Sequence, residues 1–182
     1  EVPATDVNVP TYEGSLTFGR AFTTLSPSTG TGASSVLGPG WKPAFYGPNA
    51  GQAEAFLTDF SASGYLMLTE PDKTEEIYNL SSGSTYTGVA DTEADGSTIV
   101  KAVGSTTTYT LTQADGTQTV YTQESDGLGH TTSVTQASGT SAAITTAYTL
   151  DSNQRVTQIL APVPAGITCT SPVSAPAFGV YC

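Results

Sequence analysis

The sequence predicts an all-β protein built mainly from antiparallel strands joined in a meander, and three observations support this. Charged residues make up only 12 % of the chain, about half of the usual share of ~25 %, and Thr, Ser, Gly and small apolar residues take their place. Short segments alternate polar and apolar residues with the period of two of a strand. Asp-Gly pairs at 95–96 and 115–116 separate such segments, and Asp-Gly is typical of tight hairpin turns.

The first part of the chain predicts one long strand after an extended N-terminal segment. Residues 1–14 contain Pro3 and Pro10 and show no periodicity, so we expect them to be extended. The strand is predicted over 15–25, where bulky and small residues fall on opposite faces. Arg20 belongs to the bulky face, and we expect it either to extend its charged end into solvent or to form a salt bridge at the rim of the sheet, and not to bind a ligand.

Nine further short strands are predicted at the spacing of an antiparallel meander. They cover 64–69, 75–80, 85–90, 97–103, 106–113, 117–124, 131–137, 143–150 and 154–160. Together with the first strand they predict a single β-sheet domain over 15–160. Two tyrosine-led hairpins, at 106–124 and 146–160, indicate a repeated unit.

The C-terminal segment 161–182 is rich in proline and is expected to be irregular. It contains both cysteines of the chain, Cys169 and Cys182. A disulfide between them would remove about 3 kcal/mol of denatured-state entropy in the chain-entropy model. We predict this disulfide, and with it an oxidising, extracellular compartment. The alternative is a pair of buried free thiols.

The charge of the chain excludes several classes of partner. The formal net charge is −11, and Lys and Arg together number 5. So few cations cannot neutralise a run of phosphates, so nucleic-acid binding is not expected. No stretch of apolar residues is long enough to span a bilayer, and insertion into a membrane is not expected either. We expect a secreted or cell-surface protein whose acidity serves solubility.

The sequence shows no catalytic motif. A Ser-His-Asp set would have to use His130, the single histidine, which we expect to be an exposed residue of a turn. Acidic residues cluster around one turn at 70–76, where we expect them to be solvated. We therefore predict that the protein is not an enzyme, with a glycosidase that uses an unidentified carboxylate pair as an alternative.

One acidic segment resembles the first half of a calcium-binding loop. Asp91, Glu93 and Asp95 alternate before Gly96, as oxygen ligands do in such loops. Ala102 occupies the position where a bidentate Glu would be expected. A plain hairpin loop explains the same residues, so calcium is kept as an alternative, and no other cofactor is predicted.

Aromatic residues near the first strand are candidates for a ligand platform. Trp41, Phe45 and Tyr46 follow a turn-rich segment, and Tyr65 comes soon after. Such residues could stack against a sugar, which would make the protein a carbohydrate-binding or adhesive module. Packing in the core is the other explanation.

Several segments resemble the RHS/YD-repeat proteins of secreted bacterial, actinobacterial type. The strand GSLTFGRAFTTL and the GPGW turn at 38–41 are similar to the start of their β-shell. The hairpin YTLDSNQRVT is similar to a YD repeat, in which an aspartate, a turn, a basic residue and an aliphatic residue follow a tyrosine. Gln154 departs from the glycine usual before the basic residue. The turn must therefore either avoid a positive φ there or accept strain.

The resemblance implies a curled or spiralled sheet of the RHS/YD-repeat shell type and a structural function. The chain is then expected to be part of a longer polypeptide. Because exposed strand edges recruit further strands, we expect it to pair with the remainder of that polypeptide or to assemble with copies of itself.

Overall fold

The computed structural model describes residues 2–11, 14–22, 41–46, 55–70, 74–136 and 143–161. Over these ranges the chain forms thirteen β-strands, one 3₁₀ turn at Ser61–Ser63 and no α-helix. Every pair of strands with a defined register is antiparallel. This confirms the predicted all-β, mostly antiparallel fold.

The chain divides into two compact units, whereas the sequence predicted one domain over 15–160. The first unit comprises Glu1–Gly51 together with Thr149–Cys182, and the second comprises Gln52–Tyr148. The predicted segment 161–182 and its two cysteines lie beyond the described residues, apart from Ala161.

The first unit contains a three-stranded sheet in the order β1 (Val2–Thr11), β2 (Gly14–Phe22) and β3 (Trp41–Tyr46). A bulge in β1 leaves Asp6 out of the register with β2, and its carboxylate lies 3.3 Å from the guanidinium of Arg20. Of the two arrangements expected for Arg20, the structure shows the salt bridge. Strands β1 and β3 were not predicted because both contain proline, which a sheet tolerates on its outer strands.

The second sheet has ten strands. They are β4 (Phe56–Phe60), β5 (Tyr65–Thr69), β6 (Glu75–Ser82), β7 (Thr85–Gly88), β8 (Thr98–Ala102), β9 (Thr108–Thr112), β10 (Gln118–Gln123), β11 (Gly129–Gln136), β12 (Ile144–Leu150) and β13 (Val156–Leu160). Each of the nine strands predicted from residue 64 onward overlaps one of them, although β6 ends later and β11 begins earlier than predicted. Strand β4 was missed, since its FLTDF segment is short and follows a turn-rich run.

Eight of these strands, β4 to β11, form a closed sheet. Each pairs with its neighbour in sequence, and β11 returns to β4 through Gly129 opposite Leu57 and His130 opposite Phe56. The second half of β11 then pairs with β12. A closed sheet of eight strands has an interior just wide enough to be filled by side chains.

Tyrosine and leucine fill this interior. Alternate residues of each strand point inward, and Tyr78, Tyr109 and Tyr121 are the largest side chains that are fully buried. The buried cluster consists of Ala55, Leu57, Leu66, Leu68, Tyr78, Tyr86, Ala94, Ile99, Tyr109, Leu111 and Tyr121. A buried phenolic hydroxyl usually has a hydrogen-bond partner. Tyr109 and Tyr78 find theirs in carboxylates, at opposite ends of the sheet.

Candidate functional site

The closed sheet has two ends with different chemistry. Its connections alternate between the ends because neighbouring strands are antiparallel. The end with the β4–β5 and β8–β9 connections contains Asp59, Ser61, Lys101 and Tyr109, and we call it the Lys101 end. The opposite end, with the β5–β6, β7–β8 and β9–β10 connections, contains Glu76, Tyr78, Glu93, Asp95, Ser97 and Asp115, and we call it the acidic end.

At the Lys101 end an ion pair joins β4 to β8. The Lys101 Nζ atom lies 2.6 Å from Asp59 Oδ2 and donates to Ser61 Oγ at 2.9 Å. The Tyr109 hydroxyl donates to the same carboxylate oxygen at 2.6 Å, and the Ser61 amide donates to Oδ1 at 2.8 Å. Both charged side chains are largely buried, with 19 % of Lys101 and 14 % of Asp59 exposed. The carboxylate is thus surrounded by donors.

The ionisation of this cluster follows from its contacts. Burial alone would raise the pKa of Asp59, but the hydrogen bonds from Lys101, Ser61 and Tyr109 outweigh it and hold the pKa well below its usual value. Burial raises the pKa of Tyr109, and the bond to the Asp59 carboxylate raises it further. Near neutral pH the aspartate is therefore ionised and the phenol is neutral, which suits a structural cross-link.

The acidic end is shaped by the β7–β8 loop, which folds back onto the end of β7. Gly88 donates from its amide to the Ser97 carbonyl at 3.1 Å, and Ala94 is buried against it. A Cβ atom on Gly88 would lie 1.8 Å from the carbonyl oxygen of Ala94. Only glycine therefore permits this close approach of loop and strand.

The loop, strand β6 and the β9–β10 connection line a cleft of about 270 Å³. Its buried floor is polar, since the Tyr78 hydroxyl donates to Glu76 Oε2 at 2.9 Å and lies 3.2 Å from Ser97 Oγ. Glu93, Asp95 and Asp115 are exposed at its rim. The described lining consists of Glu76, Tyr78, Glu93, Asp95, Ser97, Gln113, Ala114 and Asp115, without a lysine or arginine.

The residues predicted for calcium are only partly brought together. Glu93 and Asp95 line the cleft, whereas Asp91 is not part of that lining. Among the described residues, no three His, Cys, Asp or Glu side chains are grouped as metal ligands. The loop is closed instead by Thr92, whose hydroxyl donates to the Val89 carbonyl at 2.6 Å. The tight hairpin turn expected at 95–96 is part of this longer loop.

The cleft brings several carboxylates together, and a carboxylate pair is what glycoside hydrolysis uses. The hydrogen bonds from Thr117 lower the pKa of Asp115 at the rim. Asp115 is therefore ionised near neutral pH and adds to the negative charge of the cleft.

His130 differs from the exposed turn residue that the sequence predicted. It is part of strand β11, its side chain is 16 % exposed, and its Nε2 atom lies 2.8 Å from Asp126 Oδ2. Burial opposes ionisation of Asp126, but the bonds from His130 and the Leu128 amide lower its pKa. Strand β11 begins at Gly129, two residues earlier than expected, because it must pair with β4 to close the sheet.

The structure describes the other predicted sites only in part. Strand β3 contains Trp41, Phe45 and Tyr46, aligned with Phe22, Phe18 and Thr17 of β2. The side chains of β3, like Cys169 and Cys182, lie outside the described residues, so the aromatic platform and the disulfide stay predictions. Tyr65, the fourth aromatic residue, stacks on Phe60 with ring centres 4.9 Å apart.

Three hairpin turns share one hydrogen-bond pattern, at 113–117, 124–128 and 151–155. In each, the first residue donates to the carbonyl of the fifth, and the fourth donates to the carbonyl of the first, at 2.9–3.0 Å. The fourth residue has φ +84° at Gly116, +85° at Gly127 and +58° at Gln154. Of the two outcomes expected for Gln154, the structure shows the strained one.

Asp151 holds the third of these turns together. Its carboxylate accepts hydrogen bonds from the Asn153 amide at 2.8 Å and from the Arg155 amide at 3.0 Å. The guanidinium of Arg155 donates to it through Nε at 2.8 Å and lies 2.6 Å away through a second nitrogen. Both guanidinium contacts are to the same oxygen, Oδ2. The bond to Arg155 lowers the pKa of Asp151, so the ion pair is charged near neutral pH.

No known protein family matches this chain, and no curated protein is significantly similar to it. The described residues contain no helix that is long and apolar enough to span a membrane.

Proposed function

We propose that the chain is a non-catalytic, extracellular structural protein, a β-shell segment of an RHS/YD-repeat protein. Its three-stranded sheet would take up a further strand along β1, from the rest of its polypeptide or from another copy. The closed sheet would be a self-contained domain carried by the same chain. The observation that carries this proposal is the exposure of β1.

Strand β1 is the outermost strand of its sheet within the described residues. All of its side chains from Thr5 to Pro10 are exposed, including Val7 at 52 % and Val9 at 49 %. An outer strand presents backbone donors and acceptors along its edge, and these recruit other strands. Pro3 and Pro10 lack the amide proton, so pairing would be confined to the stretch between them.

The hairpin at 151–155 supports the resemblance to YD repeats. The aspartate and the basic residue that define the repeat are in direct contact, through Asp151 and Arg155. Gln154 adopts the backbone conformation that the usual glycine would adopt without strain. The hairpin thus keeps the interactions of the motif although one of its residues has changed.

The closed sheet favours a structural function over a catalytic one. Its interior is packed with tyrosine and leucine side chains. The ionised groups of the Lys101 end bind one another, which is typical of a packed core that holds a fold in place. Because β4 to β11 are paired on both sides, strand addition would have to occur at an outer strand. Of the outer strands whose side chains are described, β1 and β13, strand β1 is the more exposed.

Sedimentation velocity over a wide range of concentration tests assembly between copies. We expect association at high concentration that Val9→Lys abolishes, because a lysine on an outer strand disfavours further pairing. Val100→Lys is the matched control. Val100 is also exposed, at 43 %, but its strand β8 is paired with β7 and β9, so association should be unchanged.

Hydrogen exchange on the monomer tests pairing within the polypeptide. If a strand of the same chain covers β1, the amides between Pro3 and Pro10 are protected on both edges. If the edge is open, every second amide exchanges fast. A chain that stays monomeric at all concentrations and also exchanges fast along β1 would contradict the proposal.

A further inference from the structure

The tyrosine hydroxyls inside the closed sheet differ in how they are satisfied. Tyr109 donates to Asp59, and Tyr78 donates to Glu76. The hydroxyl of Tyr121 has no hydrogen-bond partner among the described residues, although its side chain is 0 % exposed. It is the one buried side-chain polar atom of the described structure in this condition.

The neighbours of Tyr121 in the sheet cannot serve this hydroxyl. Tyr121 lies opposite Tyr109 on β9 and opposite Thr131 on β11. The Tyr109 hydroxyl is directed to Asp59 at 2.6 Å. The Thr131 hydroxyl donates to the carbonyl of Ala55 at 3.2 Å. Neither side chain is free to turn towards Tyr121 without breaking its own bond.

The surroundings limit what could bind there. Burial raises the pKa of Tyr121 well above its usual value, and the negative charges of Glu70 and Glu76 add to this, so the hydroxyl stays protonated and acts as a donor. Its partner must accept a hydrogen bond, and the same negative charges disfavour an anion. Packed interiors hold few voids larger than a water molecule.

We propose that a water molecule is bound inside the closed sheet at the hydroxyl of Tyr121. Water is neutral and small, and it can accept the hydrogen bond that the Tyr121 hydroxyl donates. Folded proteins contain on the order of one buried water per ~27 residues, and these waters usually satisfy buried polar groups that lack a protein partner. The proposal extends beyond the structural function and does not depend on it.

Oxygen-17 magnetic relaxation dispersion tests this, because it counts water molecules that reside long inside a protein. We expect the wild-type chain to hold one more such water than Tyr121→Phe. Tyr109→Phe is the matched control, since that hydroxyl has its own partner, and it should keep the water at Tyr121. The absence of any long-lived water in the wild-type chain would overturn the proposal even if a variant failed to fold.

Urea unfolding gives an independent readout. A dry, unpaired hydroxyl is unfavourable, so its removal in Tyr121→Phe would raise the midpoint of unfolding. With water bound, the variant loses a satisfied hydrogen bond, and the midpoint should fall or stay level. An unchanged number of long-lived waters together with a higher midpoint would show that the site is dry.

Discussion

The two ends of the closed sheet use the same pair of side chains, a tyrosine and a carboxylate, in opposite electrostatic settings. At the Lys101 end, the Tyr109 hydroxyl donates to the Asp59 carboxylate. The Lys101 ammonium group lies 2.6 Å from the same carboxylate. At the acidic end, the Tyr78 hydroxyl donates to Glu76 and accepts a hydrogen bond from Ser97. Three further carboxylates, and no cation, line the cleft there.

Because of this difference, the Lys101 end acts as a cross-link between strands, whereas the acidic end is a surface open to solvent. The Lys101 cluster ties β4, β8 and β9 together with largely buried groups, so its charges are poorly screened by solvent and strongly coupled. The exposed acids of the other end are hydrated and contribute mainly to the negative charge of the protein. We therefore expect the same kinds of substitution to have larger effects at the Lys101 end, with one exception in the backbone.

That exception is Gly88, where we expect the largest effect. Gly88→Ala forces a Cβ into the carbonyl of Ala94, so the loop must move, and stability should fall by more than about 3 kcal/mol. Gly104→Ala, at the Lys101 end, is the control, because the nearest atom to its Cβ would be 3.7 Å away. Urea unfolding measures both. Equal losses would mean that the loop adapts.

Removal of the ammonium group should have the next largest effect. Lys101→Met leaves the Asp59 carboxylate largely buried without its cation, and we expect a loss of about 3 kcal/mol. Glu76→Gln at the acidic end keeps an acceptor for the Tyr78 hydroxyl and removes one repulsive charge, so stability should change by less than about 0.5 kcal/mol. Thermal or urea unfolding of both variants compares the two ends directly. Similar losses would remove the distinction.

Removal of a phenolic hydroxyl should also cost more stability at the Lys101 end than at the acidic end, but by a smaller margin. Tyr109→Phe withdraws a donor from a carboxylate that is 14 % exposed, and we expect a loss of about 2 kcal/mol. Tyr78→Phe withdraws one from Glu76, which is half-buried and can be hydrated, so the expected loss is about 1 kcal/mol. The comparison fails if Tyr78→Phe proves the more damaging.

Acidification should act mainly through the Lys101 end. The pKa of Asp59 is lower in the folded chain than in the unfolded one, so its stabilising contribution is complete above the unfolded value of about 4. It is lost as the pH falls below that value towards the folded pKa. In Lys101→Met the lowering is weaker, and stability between pH ~4 and ~2 should fall less than in the wild type. Parallel curves would contradict this.

Local patterns in the sequence were sufficient for the fold class and for most strands. Alternation and Asp-Gly turns located the nine strands after residue 64, because a strand's period and a hairpin's turn are properties of adjacent residues. Strands β1, β3 and β4 were missed, since proline and flanking turn residues obscure the alternation there. Their strand character depends on the partners they pair with.

The candidate site was less accessible to sequence reasoning. Glu93 and Asp95 were singled out as acidic loop residues, and both line the cleft. Tyr78 and Ser97, which form its floor, are 19 positions apart and belong to no motif. The same is true of Lys101 and Asp59, which are 42 positions apart.

By itself, the sequence determined an antiparallel β protein that carries a large negative charge, together with the hairpin in which Gln154 must either avoid strain or accept it. Only the tertiary structure decided that β11 returns to β4 and closes the sheet, and that Gln154 takes the strained conformation. The physical reason is that closure depends on register between strands far apart in the chain. That register also decides which tyrosine hydroxyls meet a carboxylate, and that the hydroxyl of Tyr121 has no partner among the described residues.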